Sequence, residues 1–152
     1  MIDRVHFWPG GGAGGLGRLV AEADVDPEAW FFKAHFFQDP VQPGSLGLEA
    51  IQQAARAAAR LSGLADGDGF EFEPVAVGQP FSWKLRGQVL PTNTRTRTEV
   101  EILSTTRDDR GVLILFEGAF WVDDLRIYET RGMGVRVVER SCGPNRPATI
   151  AR

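Results

Sequence analysis

The chain has 152 residues, of which 43% are hydrophobic and 10% aromatic, which is enough for one good core but short for two independent domains. Charged residues make up 24% and the formal net charge is −3, which argues against a disordered chain and against a nucleic-acid-binding protein. This composition favours a protein that acts on a small or carrier-borne substrate.

The cysteine content and the hydropathy predict a cytoplasmic protein that does not enter a membrane. The single cysteine, Cys142, has no partner for an intramolecular disulfide, so cysteine usage gives no support to secretion. No apolar run approaches the roughly 18 residues that a membrane-spanning helix needs. The start, Met1–Arg4, lacks the basic and then apolar layout of a signal peptide.

The first third of the chain is predicted to form a loop, a strand and a short helix. Six glycines between Pro9 and Gly17 indicate a loop. Leu19–Val25 suits a first strand, and Asp26-Pro27-Glu28 then supplies a cap, a first-turn proline and an acid for a short helix that ends near Ala34. Residues 36–44 contain two prolines and a glycine, which exclude helix and predict an extended, turning path.

One long helix, rich in alanine, is predicted from Leu46 to about Ser62, with Ser45 as its cap and Gly63 at its end. Strand candidates follow at Phe70–Val77, Phe81–Gln88, Arg95–Thr105, Val112–Val122 and Arg126–Val138. Over residues 94–100, threonine or valine alternates with charged residues, which predicts a strand with one solvent-exposed face. Residues 112–116 are all apolar, which predicts a central strand covered on both sides.

One long helix amid five or six strands is an α+β pattern, in which an antiparallel sheet curves around the helix. We expect residues 1–140 to form a single domain of this kind. Residues 141–152 contain two prolines and a Cys-Gly pair, and we expect this tail to be loosely ordered.

The sequence gives no sign of a metal, a cofactor or a common hydrolase motif. There are two histidines, His6 and His35, and no metal-ligand spacing around them. A Gly-x-Ser-x-Gly elbow is absent, and the glycine run 10–15 neither follows a clear strand nor opens a helix. We therefore expect chemistry carried by side chains alone.

Two ionisable residues stand out, and each has an ordinary explanation. His35 follows the short helix at the start of the stiff proline segment, where a neutral imidazole is a good general base; otherwise it is a partly buried histidine bonded to backbone. Glu49 is expected in the first turn of the long helix, where the helix dipole favours a carboxylate. Glu49 shares a narrow helical face with Gln53, Arg56 and Arg60. This face either is an ordinary polar surface turned to solvent, or it holds a carboxyl group that is desolvated enough to keep its proton.

The segment 30–50, WFFKAHFFQDPVQPGSLGLEA, carries a longer signal: a histidine, then Asp-Pro-Val-x-Pro-Gly, and an acid 14 residues after the histidine. It resembles the active-site segment of the β-hydroxyacyl-acyl carrier protein dehydratases of the hot-dog superfamily, and most of all the dehydratase domains of polyunsaturated fatty acid synthases. Residues 86–92, RGQVLPT, fit the same family. The resemblance extends from about Val5 to Val138 and implies a hot-dog fold, a curved antiparallel sheet wrapped around one long central helix.

The resemblance also implies a role for individual residues. His35 matches the catalytic histidine and Glu49 the catalytic acid, and we expect Gln53 to support them. Gly44 matches the residue whose N–H faces the thioester oxygen, and Val41 the residue whose carbonyl orients the imidazole. We further expect an acyl tunnel on the strand faces that bear four aromatic residues, each of which is also explained as plain core: Phe81, Trp83, Phe116 and Phe120.

The implied reaction is dehydration of a 3-hydroxyacyl thioester, borne on acyl carrier protein or CoA, by a site shared across a two-fold homodimer or with a related domain. The dehydratase-isomerase branch has Asp at the Glu49 position and Gly at the Gln38 position, which leaves double-bond isomerisation open. Two alternatives stay open at this point: a hot-dog acyl thioesterase that uses Glu49 to activate water, and an inactive structural hot-dog domain of a multienzyme.

Overall fold

A computed structural model describes residues 1–65 and 69–140 of the chain. Its elements, in chain order, are β1 (Arg4–Trp8), β2 (Arg18–Asp24), α1 (Trp30–Ala34), α2 (Gly44–Leu61), β3 (Phe70–Phe72), β4 (Ser82–Leu85), β5 (Arg95–Asp108), β6 (Gly111–Val122) and β7 (Leu125–Glu139). The strands form one antiparallel sheet in the order β1-β2-β5-β6-β7-β3, and β4 pairs with β7 on the same edge as β3.

Helix α2 packs against one face of this sheet, and the sheet curls around it. Small side chains make the close approach feasible. Ile51 of α2 lies so near β6 that a Cβ added at Gly118 would stand 2.5 Å from its methyl group. The predicted α+β architecture, a curved antiparallel sheet around one long helix, is therefore confirmed. The buried residues of α2 are Gly47, Ala50, Ile51, Ala54, Ala55, Ala58 and Ala59.

The predicted faces of the central strands are largely confirmed. In β5, Thr96, Thr98 and Val100 point into the core, while the residues between them are partly exposed. In β6 the inward residues are buried, but Leu113 and Leu115 on the outer face are only partly covered. The segment around Ala76 and Gln79 supplies this cover near Gly134. The prediction of full cover on both sides of β6 is thus too strong for a single chain.

The structure differs from the predicted strands in two ways. First, β1 is an additional strand, since the sequence predicts Leu19–Val25 as the first strand. Strand β1 pairs with β2 from Arg4↔Glu22 to Trp8↔Arg18. Of its residues only Phe7 packs against the core, so β1 lacks the apolar alternation by which a strand is predicted. Second, β3 ends at Phe72 rather than Val77, because Pro74 lacks the N–H that a continued ladder needs. Likewise, β4 is shorter than the predicted 81–88.

Both predicted helix caps are wrong. Helix α1 begins at Trp30, and Asp26 instead accepts a hydrogen bond from the Glu28 N–H at 2.9 Å in a local turn. Helix α2 begins directly after Pro43, with no side-chain cap, so Ser45 is its second residue. Glu49 therefore lies in the second turn rather than the first, where the helix dipole favours a carboxylate less.

The predicted end of the long helix is confirmed, since Gly63 adopts a positive φ of 74° just after it. No helix within the described ranges is long and apolar enough to cross a membrane. The predicted loose tail 141–152, together with Cys142, lies outside the described residues.

Candidate active site

His35 is positioned by the end of α1 and by the proline segment that follows. Its backbone N–H donates to the Phe31 carbonyl at 3.0 Å, and its ring Nδ1 lies 3.2 Å from the Val41 carbonyl oxygen. Val41 is buried, and its neighbour Gln42 donates to the Val89 carbonyl at 3.0 Å, which anchors this segment to the rest of the fold. Because a carbonyl oxygen can only accept, the neutral ring carries its proton on Nδ1 and keeps a free lone pair on Nε2.

The surface next to His35 is strongly apolar. The ring of Phe36 lies 4.0 Å from the imidazole, measured between centroids, and is 56% exposed. Phe37 is 91% exposed. The turn between His35 and Val41 includes Gln38 with a φ of 58°, which redirects the chain toward α2. A partly buried imidazole with a free acceptor atom thus lies next to exposed aromatic rings.

Gly44 is the first residue of α2 and follows the same segment. The first N–H groups of a helix have no partner within the helix, and the helix dipole makes this end partly positive. A Cβ built at Gly44 would lie 3.6 Å from Leu85 and 3.7 Å from the hydroxyl of Tyr128. The start of α2 therefore combines free N–H groups, positive potential and a tyrosine hydroxyl.

Glu49 lies one turn and a half along α2. Its Oε1 accepts a hydrogen bond from Gln53 Nε2 at 3.1 Å and lies 3.6 Å from Arg56 Nη1, while the side chain is 38% exposed. The structure thus brings the predicted Gln53 to Glu49. Within one chain, however, Glu49 belongs to a half-exposed polar stripe, and water weakens the pairing of such groups.

The four predicted tunnel residues do not meet in one cavity. Phe116 and Phe120 are fully buried in the core, whereas Phe81 and Trp83 are about two-fifths exposed at the β4 edge. Phe120 and Trp83 are linked by Tyr128, whose ring centroid lies 5.2 Å from that of Phe120 and 6.1 Å from that of Trp83.

A cavity of about 150 Å³ lies beside the start of α2 and is lined in part by Phe120. Its apolar wall includes Phe31, Leu46 and Ala50, and Gln42 of the proline segment also lines it. Of the four predicted tunnel residues, Phe120 alone borders this cavity.

Tyr128 was not singled out from the sequence, although it is the only tyrosine. It is 2% exposed, and its burial raises the pKa of the phenol to about 12. A β-bulge explains why the sequence pattern hides it: Phe120 pairs with Tyr128 but Trp121 pairs with Arg126, so Ile127 is an extra residue. Both Ile127 and Tyr128 are buried as a result, which breaks the alternation of the strand.

In the part of the chain that the structure describes, no group of three or more His, Cys, Asp or Glu side chains is placed to hold a metal ion. The candidate groups for chemistry near the start of α2 are an imidazole, a carboxyl, a phenol and the first N–H groups of the helix.

The comparisons with known proteins agree on family and fold. The model of the FabA-like domain family matches residues 1–131. One subunit of the polyunsaturated fatty acid synthase of Thraustochytrium sp. is 36% identical over 138 residues, which is 90% of this chain but 9% of that protein. The chain therefore spans about a tenth of the length of this relative.

Two solved structures show the fold. A thioesterase superfamily member from Thermus thermophilus superposes with a TM-score of 0.56 at 16% identity, over 79% of this chain and 80% of that one. A mutant thioesterase from Pseudomonas aeruginosa gives 0.54 at 16% identity, over 81% and 76%. At this identity the likeness concerns the fold alone. The resemblance noted in the segment 30–50 is confirmed, and the chain belongs to the FabA-like domain family with a hot-dog fold.

Proposed function

We propose that this chain dehydrates 3-hydroxyacyl thioesters, borne on acyl carrier protein or CoA, to 2-enoyl thioesters in fatty acid or polyketide-type synthesis. Membership of the FabA-like family and the similarity to part of a polyunsaturated fatty acid synthase support this proposal. The observation that carries it is the imidazole of His35, whose Nδ1 lies 3.2 Å from the Val41 carbonyl and whose Nε2 is left as an acceptor, one short segment before the start of α2.

The reaction requires a general base, a group that stabilises negative charge on the thioester oxygen, and a general acid. The C2 proton of a thioester is only modestly acidic, so its removal needs charge on the thioester oxygen to be stabilised. The Gly44 N–H, at the positive end of α2, suits that task, and one such donor is worth roughly 3 kcal/mol. His35 Nε2 takes the C2 proton. Glu49, or the protonated His35, then gives a proton to the departing 3-hydroxyl, which leaves as water.

The acid role of Glu49 requires a second protein surface, because a carboxyl that donates a proton must be desolvated and this side chain is 38% exposed beside Arg56. The β4 edge offers such a surface: Ser82–Leu85 are all exposed, and Trp83 and Leu85 are 40% and 52% exposed. Pairing two β4 edges about a two-fold axis buries these side chains and extends the sheet. We therefore propose a homodimer, or a pair with a related domain, in which His35 of one copy meets Glu49 of the other.

A hot-dog thioesterase is the second candidate. The half-exposed Glu49 favours it, since an accessible carboxylate is well placed to activate water. His35, aligned by Val41 and followed by the Pro-Gly step at residues 43 and 44, has no part in that reaction. The third possibility, an inactive structural domain, leaves both His35 and Glu49 without a role.

One incubation separates these functions. The chain is given 3-hydroxyacyl thioesters of several chain lengths, and the products are followed by mass spectrometry and by a thiol reagent. A dehydratase yields an enoyl thioester lighter by one water, a thioesterase releases a free thiol, and an inactive domain does neither. Chromatography of the enoyl product against 2-enoyl and 3-enoyl standards shows in the same experiment whether the double bond migrates.

A further inference from the structure

The side chain of Tyr128 reaches from β7 to the first turn of α2. Its ring covers Gly47 so closely that a Cβ added there would overlap the ring, and its hydroxyl lies 3.7 Å from where a Cβ of Gly44 would stand. Phe120 packs against the ring at 5.2 Å between centroids. The ring is thus held on two sides, and its hydroxyl lies next to Gly44, the first residue of α2.

This hydroxyl belongs to a side chain that is only 2% exposed, yet residues 1–65 and 69–140 supply it with no hydrogen-bond partner. Other hydroxyls in the core are paired: Thr130 donates to the Gly118 carbonyl and Thr96 to the Ala23 carbonyl, both at 3.4 Å. The hydroxyl oxygen itself keeps some contact with solvent, since the fully buried side-chain atoms of the described residues that lack a partner lie elsewhere, so it is open to a group that binds beside it.

The Tyr128 hydroxyl can donate a hydrogen bond to an acceptor that binds beside it. The phenol, whose pKa burial raises to about 12, keeps its proton at neutral pH and can donate it in a hydrogen bond. Phe120 packs against its ring, Leu85 is its cross-strand neighbour, and the start of α2 with its N–H groups lies next to the hydroxyl. A position between the Gly44 N–H and the Tyr128 hydroxyl therefore attracts an oxygen that carries partial or full negative charge.

We propose that the Tyr128 hydroxyl is a second hydrogen-bond donor to the thioester carbonyl oxygen, acting together with the Gly44 N–H. This inference rests on the proposed dehydration, because the charge that the two donors stabilise is the one that forms on that oxygen when the C2 proton is removed. Tyr128 is then a catalytic residue that touches the reacting group, and Gly47 is the position whose lack of a side chain makes room for it.

Kinetics of Tyr128→Phe give the first test, since this variant keeps the ring and removes only the hydroxyl. We expect kcat for dehydration to fall by roughly 10- to 100-fold with little change in KM, because the donor acts on charge that develops in the transition state. Thr130→Val is the matched control. It removes another buried hydroxyl from the same strand, and we expect it to keep wild-type kcat. A Tyr128→Phe protein with wild-type melting temperature and kcat within twofold of wild type would overturn the proposal.

A second test uses the unmodified chain and does not depend on turnover. Tyr128 is the only tyrosine, so labelling tyrosine with ¹³C at Cζ gives one resonance from this site. The probes are the saturated thioester butyryl-N-acetylcysteamine and the matching butyl thioether, which lacks the carbonyl. We expect only the thioester to shift the resonance.

Equal shifts from both probes, or no shift at saturating thioester, would overturn the Tyr128 proposal. If wild-type protein forms no enoyl thioester, the proposed dehydration is wrong, independently of the role of Tyr128. The NMR comparison then still decides whether Tyr128 binds a thioester carbonyl.

Discussion

Gly47 lies directly beneath the ring of Tyr128, and a Cβ built at this glycine would overlap Cε2 and stand 2.9 Å from Cδ2 and Cζ of the ring. A glycine inside a helix costs roughly 0.5–1 kcal/mol relative to alanine. The close approach that it makes possible joins the first turns of α2 to β7. Since Gly44 and Glu49 lie on those turns, this contact sets where both stand relative to the sheet.

We expect Gly47→Ala to lower the free energy of unfolding by about 1–3 kcal/mol, because the added methyl group displaces the ring of Tyr128 within a packed core. This loss should appear even though alanine is the better helix former. Denaturant unfolding measures it. Gly44→Ala is the control in the same helix, because its Cβ would meet Leu85 and Tyr128 only at ordinary contact distances of 3.6 and 3.7 Å. Equal stability of the two variants would contradict the close approach at Gly47.

Asp123, in the turn between β6 and β7, predicts a pH dependence of stability. It accepts hydrogen bonds from Thr94 Oγ1 at 2.6 Å, Asn93 Nδ2 at 2.9 Å and the backbone N–H groups of Thr94 and Arg95 at 3.0 and 3.1 Å. These bonds hold the pKa of the Asp123 carboxyl well below its usual range. A depressed pKa in the folded state stabilises the fold above the unfolded value of about 3.9, and this stabilisation is lost as the pH falls below it.

We therefore expect Asp123→Asn to be less stable than wild type near pH 7, with the difference shrinking below about pH 4. Asparagine also tolerates the positive φ of 50° at this position, so backbone strain does not confuse the result. Unfolding at a series of pH values measures the difference. Asp124→Asn, at the exposed neighbour, is the control. A deficit that stays constant from pH 7 to pH 3 would refute the assignment to the Asp123 carboxyl.

The segment from His35 to Gly44, which carries much of the family resemblance, is also a segment whose path can be predicted from its own residues. The two prolines between His35 and Gly44 rule out helix and dictate an extended, turning path, and residues 36–43 have one, although the predicted non-helical Gly44 itself opens α2. Alternation in β5 likewise follows from Thr96, Thr98 and Val100, since side chains of a strand take opposite faces in turn.

Tyr128 could not be found in this way, because the bulge at Ile127 shifts the parity of the strand and depends on pairing with β6. The predicted helix caps are wrong for a similar reason. Asp26 and Ser45 have the right side chains for an N-cap, but the chain path set by Pro27 and Pro43 places the helix starts elsewhere. In the proposed dimer the surface that covers Glu49 belongs to a second chain, and the sequence pattern of one chain does not reveal that surface.

The proposed chemistry predicts that His35→Ala and Glu49→Gln each abolish formation of the enoyl thioester while leaving the fold intact. Removing one member of a catalytic unit should cost nearly as much as removing both. The matched control is His6→Ala, which changes the other histidine, exposed on β1. Product formation is followed by mass spectrometry, and circular dichroism checks the fold. Near-wild-type turnover by folded His35→Ala protein would end the assignment.

The proposed pairing through β4 predicts that charge at this edge separates the two protomers. Trp83→Glu combined with Leu85→Glu should yield a monomer in sedimentation velocity and should remove activity, because each site then lacks its second half. Val5→Glu is the control, since Val5 is 43% exposed on β1 at the opposite edge of the sheet. A doubly substituted protein that keeps the sedimentation coefficient of wild type would show that β4 is not the interface.

Mixed dimers test whether the site is shared between protomers. If His35 of one copy meets Glu49 of the other, refolding His35→Ala together with Glu49→Gln should give dimers in which one site carries both lesions and the other carries neither. Activity should then return from two inactive proteins. With random pairing roughly half of the dimers are mixed and half of their sites are intact, so about a quarter of wild-type activity is the ceiling for a two-fold dimer. Different affinity tags on the two variants confirm the exchange, and confirmed exchange without recovered dehydration would place both residues in the site of one protomer.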